Sequence, residues 1–388
     1  SPDDFHFLHG KGLPVHRGVL PEDCTGLLAH NQAQMRELLT NYGKIDILFF
    51  DGPSDGLRET CWEIDPEVVI TRGAMPTPEQ HIPGVQSAEP WEACVTMGTG
   101  WQYKPTNEQY KSGTQLLELL IETRAKGGNL LLNVGPKPNG ELPIEQEALL
   151  REIALWNFVN GEAIAGVRPW RIPREGDVWF TAVPEESVVY AHIEGDTPWP
   201  QRTRREVSLY SVRTSTQSTV QVLGQADDLI AADGPAIEWS QREDRLHISV
   251  ARMQRLYNNR KWPNPVVLKI TDAQIGLVPP TVRTGAAQCR DAVDSDAQDR
   301  RPIWQLHAQL IDLGEEGAVE VGFEFRLRRL LTDRADEWQQ TPLQQLQSAG
   351  DFGASIGALQ RQSSYEFRAV VHHPSVTVYG DYVAFRTP

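Results

Sequence analysis

Apolar residues recur at two different spacings along the first 160 residues of the chain. Over residues 25–42 they lie mostly three or four positions apart, which predicts an amphipathic helix ended by Gly43. Similar spacing predicts a helix over 144–160. A capping pattern of Thr and Gln that begins at Thr106 predicts another helix over 106–126.

Short continuous apolar runs separate these helical segments. They cover residues 45–50, 66–71, 93–97 and 129–134. Strands without a polar face that alternate with helices are typical of a parallel sheet covered on both sides. We therefore predict that residues 1–169 contain a parallel sheet of about four strands, half the number in an eight-stranded barrel.

The pattern changes after residue 169, where short alternating runs are separated by turn residues. This pattern predicts an antiparallel β-sandwich over 170–276, followed by a linker at the proline pair 279–280. A second sandwich of fibronectin type III style is predicted over 277–388. Within it, the Gln-rich segment 339–347 is expected to be a solvated loop or short helix.

The overall charge limits the kinds of partner. A net charge of −15 and a pI near 5.2 argue against nucleic acids and anionic membrane surfaces. No apolar stretch is long enough to span a bilayer. The four cysteines are widely spaced and show no metal pattern, so the sequence predicts neither a cofactor nor a metal site.

Asp51 ends the apolar run 45–50 and is the first candidate for chemistry. A carboxylate is costly to bury, so we expect it where the strand meets a cleft. The simpler alternative is an Asp-Gly turn or a helix cap. Cleavage of a glycosidic bond needs two carboxyl groups, and Asp51 could be the nucleophile of such a pair. Glu79 and Glu92 compete for the acid/base role, since both lie among apolar or aromatic neighbours that favour a raised pKa.

The motifs resemble glycoside hydrolase family 29, the α-L-fucosidases. Residues 42–52, Tyr-Gly-Lys-Ile-Asp-Ile-Leu-Phe-Phe-Asp-Gly, are similar to the nucleophile strand of that family, with Phe49 where Trp is usual. The resemblance continues in order through Arg72, Thr77-Pro78-Glu79, Trp91-Glu92 and the glycine- and asparagine-rich segment 127–140.

The resemblance implies that residues 1–169 form the C-terminal half of a (β/α)8-type barrel. It also implies a retaining exo-α-L-fucosidase that acts on a fucosylated oligosaccharide or glycoconjugate. Asp51 would be the nucleophile and Glu79 the acid/base, with Glu92 as the reserve for that role. Arg72 would bind a sugar hydroxyl and hold Asp51 ionised. The resemblance further implies aromatic contacts to the sugar from Phe49, Trp91 and Trp101. It also favours a secreted or periplasmic location, although no signal peptide precedes Ser1.

One part of the family pattern has no match. The His-Trp-Gly segment and His-His pair of the N-terminal barrel strands are absent from matching positions here. We expect that the sequence is incomplete, the alternatives being a second chain or oligomer that completes the barrel, or an inactive fragment. Two rival functions stay open: a glycosidase for another sugar, and a non-catalytic carbohydrate-binding or adhesion protein.

Overall fold

The structure, a computed structural model, describes residues 25–195, 199, 203–225, 237–251, 264–290, 302–328 and 337–388. The unmatched histidines at positions 6, 9 and 16 lie outside these residues. By compactness the chain divides into two units. Among the described residues, the first contains 25–78 and Glu89–Glu92, and the second contains Glu79–Ala88 and the described part of Ala93–Pro388.

The first unit alternates helices with two very short strands. In order, its elements are helix α1 (Thr25–Asn41), strand β1 (Ile47–Leu48), helix α2 (Leu57–Ile64) and strand β2 (Val69–Ile70). The strands pair in parallel, with Ile47 opposite Val69 and Leu48 opposite Ile70. Their small core contains buried Cys61, Val68 and Ile70. Parallel strands connected through a helix agree with the predicted βα alternation.

The second unit begins with two further strands and two helices. Strand β3 (Glu92–Thr96) starts at the border of the units and pairs with strand β4 (Asn129–Asn133). Helix α3 (Gly113–Ala125) lies between them in sequence, and helix α4 (Ile144–Asn160) follows. Both helices pack their apolar residues against the sheet that comes next in the chain.

That next region contains two facing antiparallel sheets. Its strands are β5 (Arg168–Glu175), β6 (Val178–Val183), β7 (Val188–Ile193), β8 (Arg204–Leu209), β9 (Val212–Arg213), β10 (Val220–Val222), β11 (Ile237–Gln241), β12 (Leu246–Ala251), β13 (Val266–Ile270) and β14 (Gln274–Ile275). Among the described strands, one of these sheets has the order β10-β13-β7-β6-β5 and the other has the order β11-β12-β8, while β9 and β14 form a separate antiparallel pair. Every residue of β7 is buried because this sheet has a sandwich core on one face and α3 and α4 on the other.

The last region also has two sheets around one core. Its strands are β15 (Thr281–Arg290), β16 (Ile303–Asp312), β17 (Val319–Leu327), β18 (Gln339–Gln340), β19 (Gln344–Leu346), β20 (Gly350–Ile356), β21 (Ser364–His372), β22 (Thr377–Tyr379) and β23 (Val383–Arg386). Among those described, β15-β16-β20 form one sheet, and β17 and β21 are central in the other. Phe323 and Phe367 are fully buried between the sheets.

Three local predictions were wrong. The helix predicted from Thr106 begins only at Gly113, where Ser112 accepts a hydrogen bond from the backbone N–H of Gln115. Asn107 has a positive φ of 58°, which no right-handed helix allows. The apolar run 45–50 has only two paired residues, and the Gln-rich segment 339–347 contains strands β18 and β19 rather than only a loop or helix.

The coarse fold prediction, a multidomain α/β protein with additional sheets, is confirmed. The half barrel, the fibronectin type III likeness and the boundaries at 169/170 and 276/277 stay predictions. Cys61, Cys94 and Cys289 are free thiols. None of the helices in the described ranges is long and apolar enough to cross a membrane.

The first sandwich core should govern the stability of the second unit. Phe180 has no exposed surface in that core, whereas Phe158 on α4 is 90% exposed. We expect Phe180→Ala to lower the free energy of unfolding by about 3–5 kcal/mol, because it removes buried apolar area and leaves a cavity. Urea denaturation followed by circular dichroism measures the change. Phe158→Ala is the control and should stay within about 0.5 kcal/mol of the parent; equal losses in both variants would contradict the assignment of the core.

Candidate active site

Asp51 and Arg72 meet at the edge where β1 and β2 end. The backbone N–H of Thr71 donates to the Leu48 carbonyl at 3.0 Å, and that of Phe50 donates to the Arg72 carbonyl at 3.1 Å. These bonds continue the parallel pairing beyond the strands. As a result, Nη1 of Arg72 lies 2.6 Å from Oδ1 of Asp51.

The two charged side chains differ in exposure. The Asp51 side chain is 82% exposed, and that of Arg72 is 23% exposed. The guanidinium carbon of Arg72 lies 5.3 Å from the centre of the Phe49 ring, within the range of a cation–π contact. Arg72 is thus held by a carboxylate and an aromatic ring, while much of the Asp51 carboxylate stays open to solvent.

The backbone after Arg72 is fixed by contacts to Gly73. The Ser54 hydroxyl and Nη1 of Arg58 both donate to the Gly73 carbonyl, at 3.0 and 2.8 Å. Gly73 has a φ of +105°, and a Cβ placed there would lie 2.8 Å from the Ser54 hydroxyl oxygen. This position needs glycine both for its conformation and for the close approach of Ser54.

Trp91 and Glu92 belong to the same unit as Asp51. Trp91 is only 3% exposed, which favours a role in packing over ring contact with a sugar. Glu92 is partly buried at the start of β3, and its backbone N–H donates to the Pro76 carbonyl at 3.1 Å. It remains the reserve for the acid/base role.

Glu79 lies in the second unit and is exposed. It forms an isolated parallel bridge with Cys94 of β3, and the backbone N–H of Gln80 donates to the Cys94 carbonyl at 2.9 Å. The Gln80 amide nitrogen also donates to the Thr96 hydroxyl at 2.9 Å. The segment that carries Glu79 is therefore fastened alongside β3.

Trp101 is also in the second unit and is 41% exposed. Its loop is held by Glu108, a residue that the sequence analysis missed. The Glu108 carboxylate accepts hydrogen bonds from the backbone N–H and hydroxyl of Thr99, both at 2.7 Å, and from the backbone N–H of Gln109 at 2.9 Å. Burial alone would raise the pKa of Glu108, but these hydrogen bonds bring its pKa below the ordinary value.

The structure thus brings Arg72 into contact with both Asp51 and Phe49. Glu79 and Trp101 are placed in the other unit, and the predicted roles of all these residues stay predictions. Glu108 could have been suspected only from its position as the one acidic residue in the polar segment 98–111.

Part of the chain is similar to known proteins. Residues 26–162 match a family model described as Alpha-L-fucosidase. The chain is 34% identical over 167 residues to an α-L-fucosidase of Branchiostoma floridae, an alignment that covers 41% of this chain and 36% of that protein. The chain therefore spans well under half the length of this relative.

Solved structures of α-L-fucosidases are also similar. The isoenzyme 1 from Paenibacillus thiaminolyticus is 25% identical with a TM-score of 0.51, covering 65% of this chain and 64% of that one. An α-L-fucosidase from Vibrio sp. strain EJY3 has a TM-score of 0.54, and the alignment covers 91% of this chain and 69% of that chain. At 16% identity this second likeness concerns the fold alone. The resemblance read from the motifs is confirmed: residues 26–162 of this chain match the α-L-fucosidase family, and these relatives and solved structures are α-L-fucosidases.

Proposed function

We propose that this chain is part of a retaining exo-α-L-fucosidase, which removes terminal α-L-fucosyl residues from an oligosaccharide or glycoconjugate. The observation that carries the proposal is the contact of Asp51 with Arg72 at a strand end inside the segment that matches the family. We further propose that β1–β4 and their helices form the C-terminal half of a (β/α)8 barrel. The last sandwich is proposed to be fibronectin type III-like.

Asp51 acts as the nucleophile in this proposal. Its carboxylate oxygen forms a bond to the anomeric carbon as the bond to the leaving oxygen breaks, which gives a fucosyl ester and inverts the anomeric centre once. The exposure of Asp51 supports this role, because one oxygen can be held by Arg72 at 2.6 Å while the other reaches a substrate. Arg72 orients the carboxylate and binds a sugar hydroxyl.

Glu79 acts as the acid/base. It donates a proton to the leaving oxygen in the first step and removes one from water in the second, so that water displaces Asp51 and the original configuration is restored. The fastening of its segment to Cys94 and Thr96 supports a fixed position for this carboxyl group. Glu92 takes the role if Glu79 does not.

Loss of the nucleophile should abolish turnover. We expect Asp51→Asn to lower kcat for 4-nitrophenyl α-L-fucoside by a factor on the order of 10³ or more, because an amide cannot form the ester intermediate. The matched control is Asp55→Asn, since the Asp55 side chain is 87% exposed and also contacts an arginine. Release of 4-nitrophenol measures both rates. Undiminished turnover in Asp51→Asn contradicts the nucleophile, and a chain that binds the fucoside without hydrolysing it favours the carbohydrate-binding alternative.

Azide should distinguish the two carboxyl roles by the configuration of the product. In Glu79→Ala azide attacks the fucosyl ester, so α-L-fucosyl azide with retained configuration is expected. In Asp51→Gly azide replaces the nucleophile in a single displacement, which gives the inverted β-L-fucosyl azide. Proton NMR of the anomeric signal identifies each product. If azide accelerates Glu92→Ala and leaves Glu79→Ala unchanged, the acid/base role belongs to Glu92.

The hydrogen bonds accepted by the Glu108 carboxylate should make the free energy of unfolding depend on pH. Its pKa in the folded chain lies below the unfolded value of about 4.3. Its contribution to stability is therefore present above about pH 4.3 and is lost as the pH falls through the folded-state pKa. Urea unfolding at pH 7 should show Glu108→Gln to be less stable than the parent, with a difference that shrinks below pH 4. Glu243→Gln, at an exposed position, is the control; a difference that does not vary with pH would refute the charge-based role.

A further inference from the structure

The second unit contains a cavity. It has a volume of 760 Å³ and is formed where β5 of the first sandwich meets the β21–β22 end of the second, beside the last turn of α3. This volume lies within the range of about 300–1,000 Å³ that is usual for small-molecule sites. All of its walls belong to the second unit.

The lining of the cavity is rich in charged side chains. The charged lining residues are four cations, Lys126, Arg171, Arg174 and Arg368, and two carboxylates, Glu122 and Glu175. Oε1 of Glu122 is paired with Nζ of Lys126 at 2.6 Å. Glu175 is buried and accepts backbone hydrogen bonds from Tyr210 and Ser211, each at 2.8 Å.

The cations differ in what they contact. Arg174 pairs with Glu194 at 3.0 Å, and Arg368 pairs with Glu324 at 2.6 Å. The exposed Arg171 side chain, by contrast, makes no hydrogen bond or ion pair with the described residues. A guanidinium in this state can bind a carboxylate or sulfate through two parallel hydrogen bonds.

Tyrosine side chains form another part of the wall. The guanidinium carbon of Arg368 lies 3.6 Å from the centre of the Tyr379 ring, and its Nη1 donates to the Tyr382 hydroxyl at 3.3 Å. Burial, above all, raises the pKa of Tyr379, so its hydroxyl stays protonated at neutral pH. Among the described residues this hydroxyl has no hydrogen-bond partner, and it is available to a ligand hydroxyl.

We propose that this cavity is a second carbohydrate site, specific for a saccharide that carries a carboxylate or a sulfate group. Arg171 binds the anionic group, and the Tyr379 hydroxyl bonds a sugar hydroxyl. Only the choice of a saccharide rests on the proposed fucosidase function. The anionic group follows from the Arg171 guanidinium, which has no partner among the described residues.

Binding can be measured without any hydrolysis. Isothermal titration of the protein with D-glucuronic acid and with D-galactose 6-sulfate should show binding that weakens as the salt concentration rises. D-galactose, the neutral probe, should bind at least about tenfold more weakly, because it lacks the charge-assisted hydrogen bonds. Arg171→Gln should weaken binding of both anionic probes by about tenfold or more. Arg213→Gln, at an exposed arginine outside the cavity, should leave their affinity unchanged.

The outcomes separate this site from the proposed active site. Asp51→Asn should bind both anionic probes like the parent even though it no longer hydrolyses a fucoside. Equal affinity for D-galactose and the two anionic probes, or unchanged affinity for these probes in a folded Arg171→Gln variant, would overturn the proposal. Binding of only one anionic probe supports the site and identifies which anionic group it accepts. Absence of binding by both probes overturns it.

Discussion

Backbone pairing between β1 and β2 determines where the charged groups of the candidate active site lie. Each strand contributes only two paired residues, so Asp51 and Arg72 follow almost at once after the ladder. Because the strands are parallel, the chain leaves both at the same edge; an antiparallel pair would leave them at opposite edges. The hydrogen bond from the Phe50 N–H to the Arg72 carbonyl continues the parallel pairing as far as Arg72, and so holds the Asp51 and Arg72 side chains at this edge.

The ion pair that results has little value for stability. A pair with an Asp51 side chain 82% exposed is screened by water and salt, and such pairs stabilise folded proteins only weakly. The core of this unit is formed elsewhere, around Cys61, Val68 and Ile70. Yet the guanidinium of Arg72 is also held against the Phe49 ring, and the next carbonyl is fixed by two donors. In the proposed function, this arrangement serves to position the Asp51 carboxylate.

The sequence predicted periodic elements better than local hydrogen bonds. The spacing of apolar residues located α1 and α4 to within one residue at each end. The run 45–50 is apolar except for Asp46, but apolar character does not tell how many residues have a partner strand, and Ile47 is 61% exposed. Thr106 and Ser112 are each followed three residues later by Gln, so the sequence offers two capping patterns. The structure shows that Ser112 caps the helix, because the left-handed backbone at Asn107 excludes a helix that starts at Thr106. Glu108 was missed because its partners are backbone N–H groups that no side-chain pattern reveals.

The arginines of the two proposed sites differ in whether they pair with a carboxylate of the chain. Arg72 is committed to a carboxylate of its own chain, so any ligand it binds must share it with Asp51. At the cavity, the pairs of Arg174 with Glu194 and of Arg368 with Glu324 neutralise the guanidinium groups that line its walls. Arg171 also lines the cavity, and no carboxylate among the described residues pairs with its side chain. In the proposed site, an anion therefore meets a guanidinium that no acid among the described residues occupies, and selection of a charged ligand depends on Arg171.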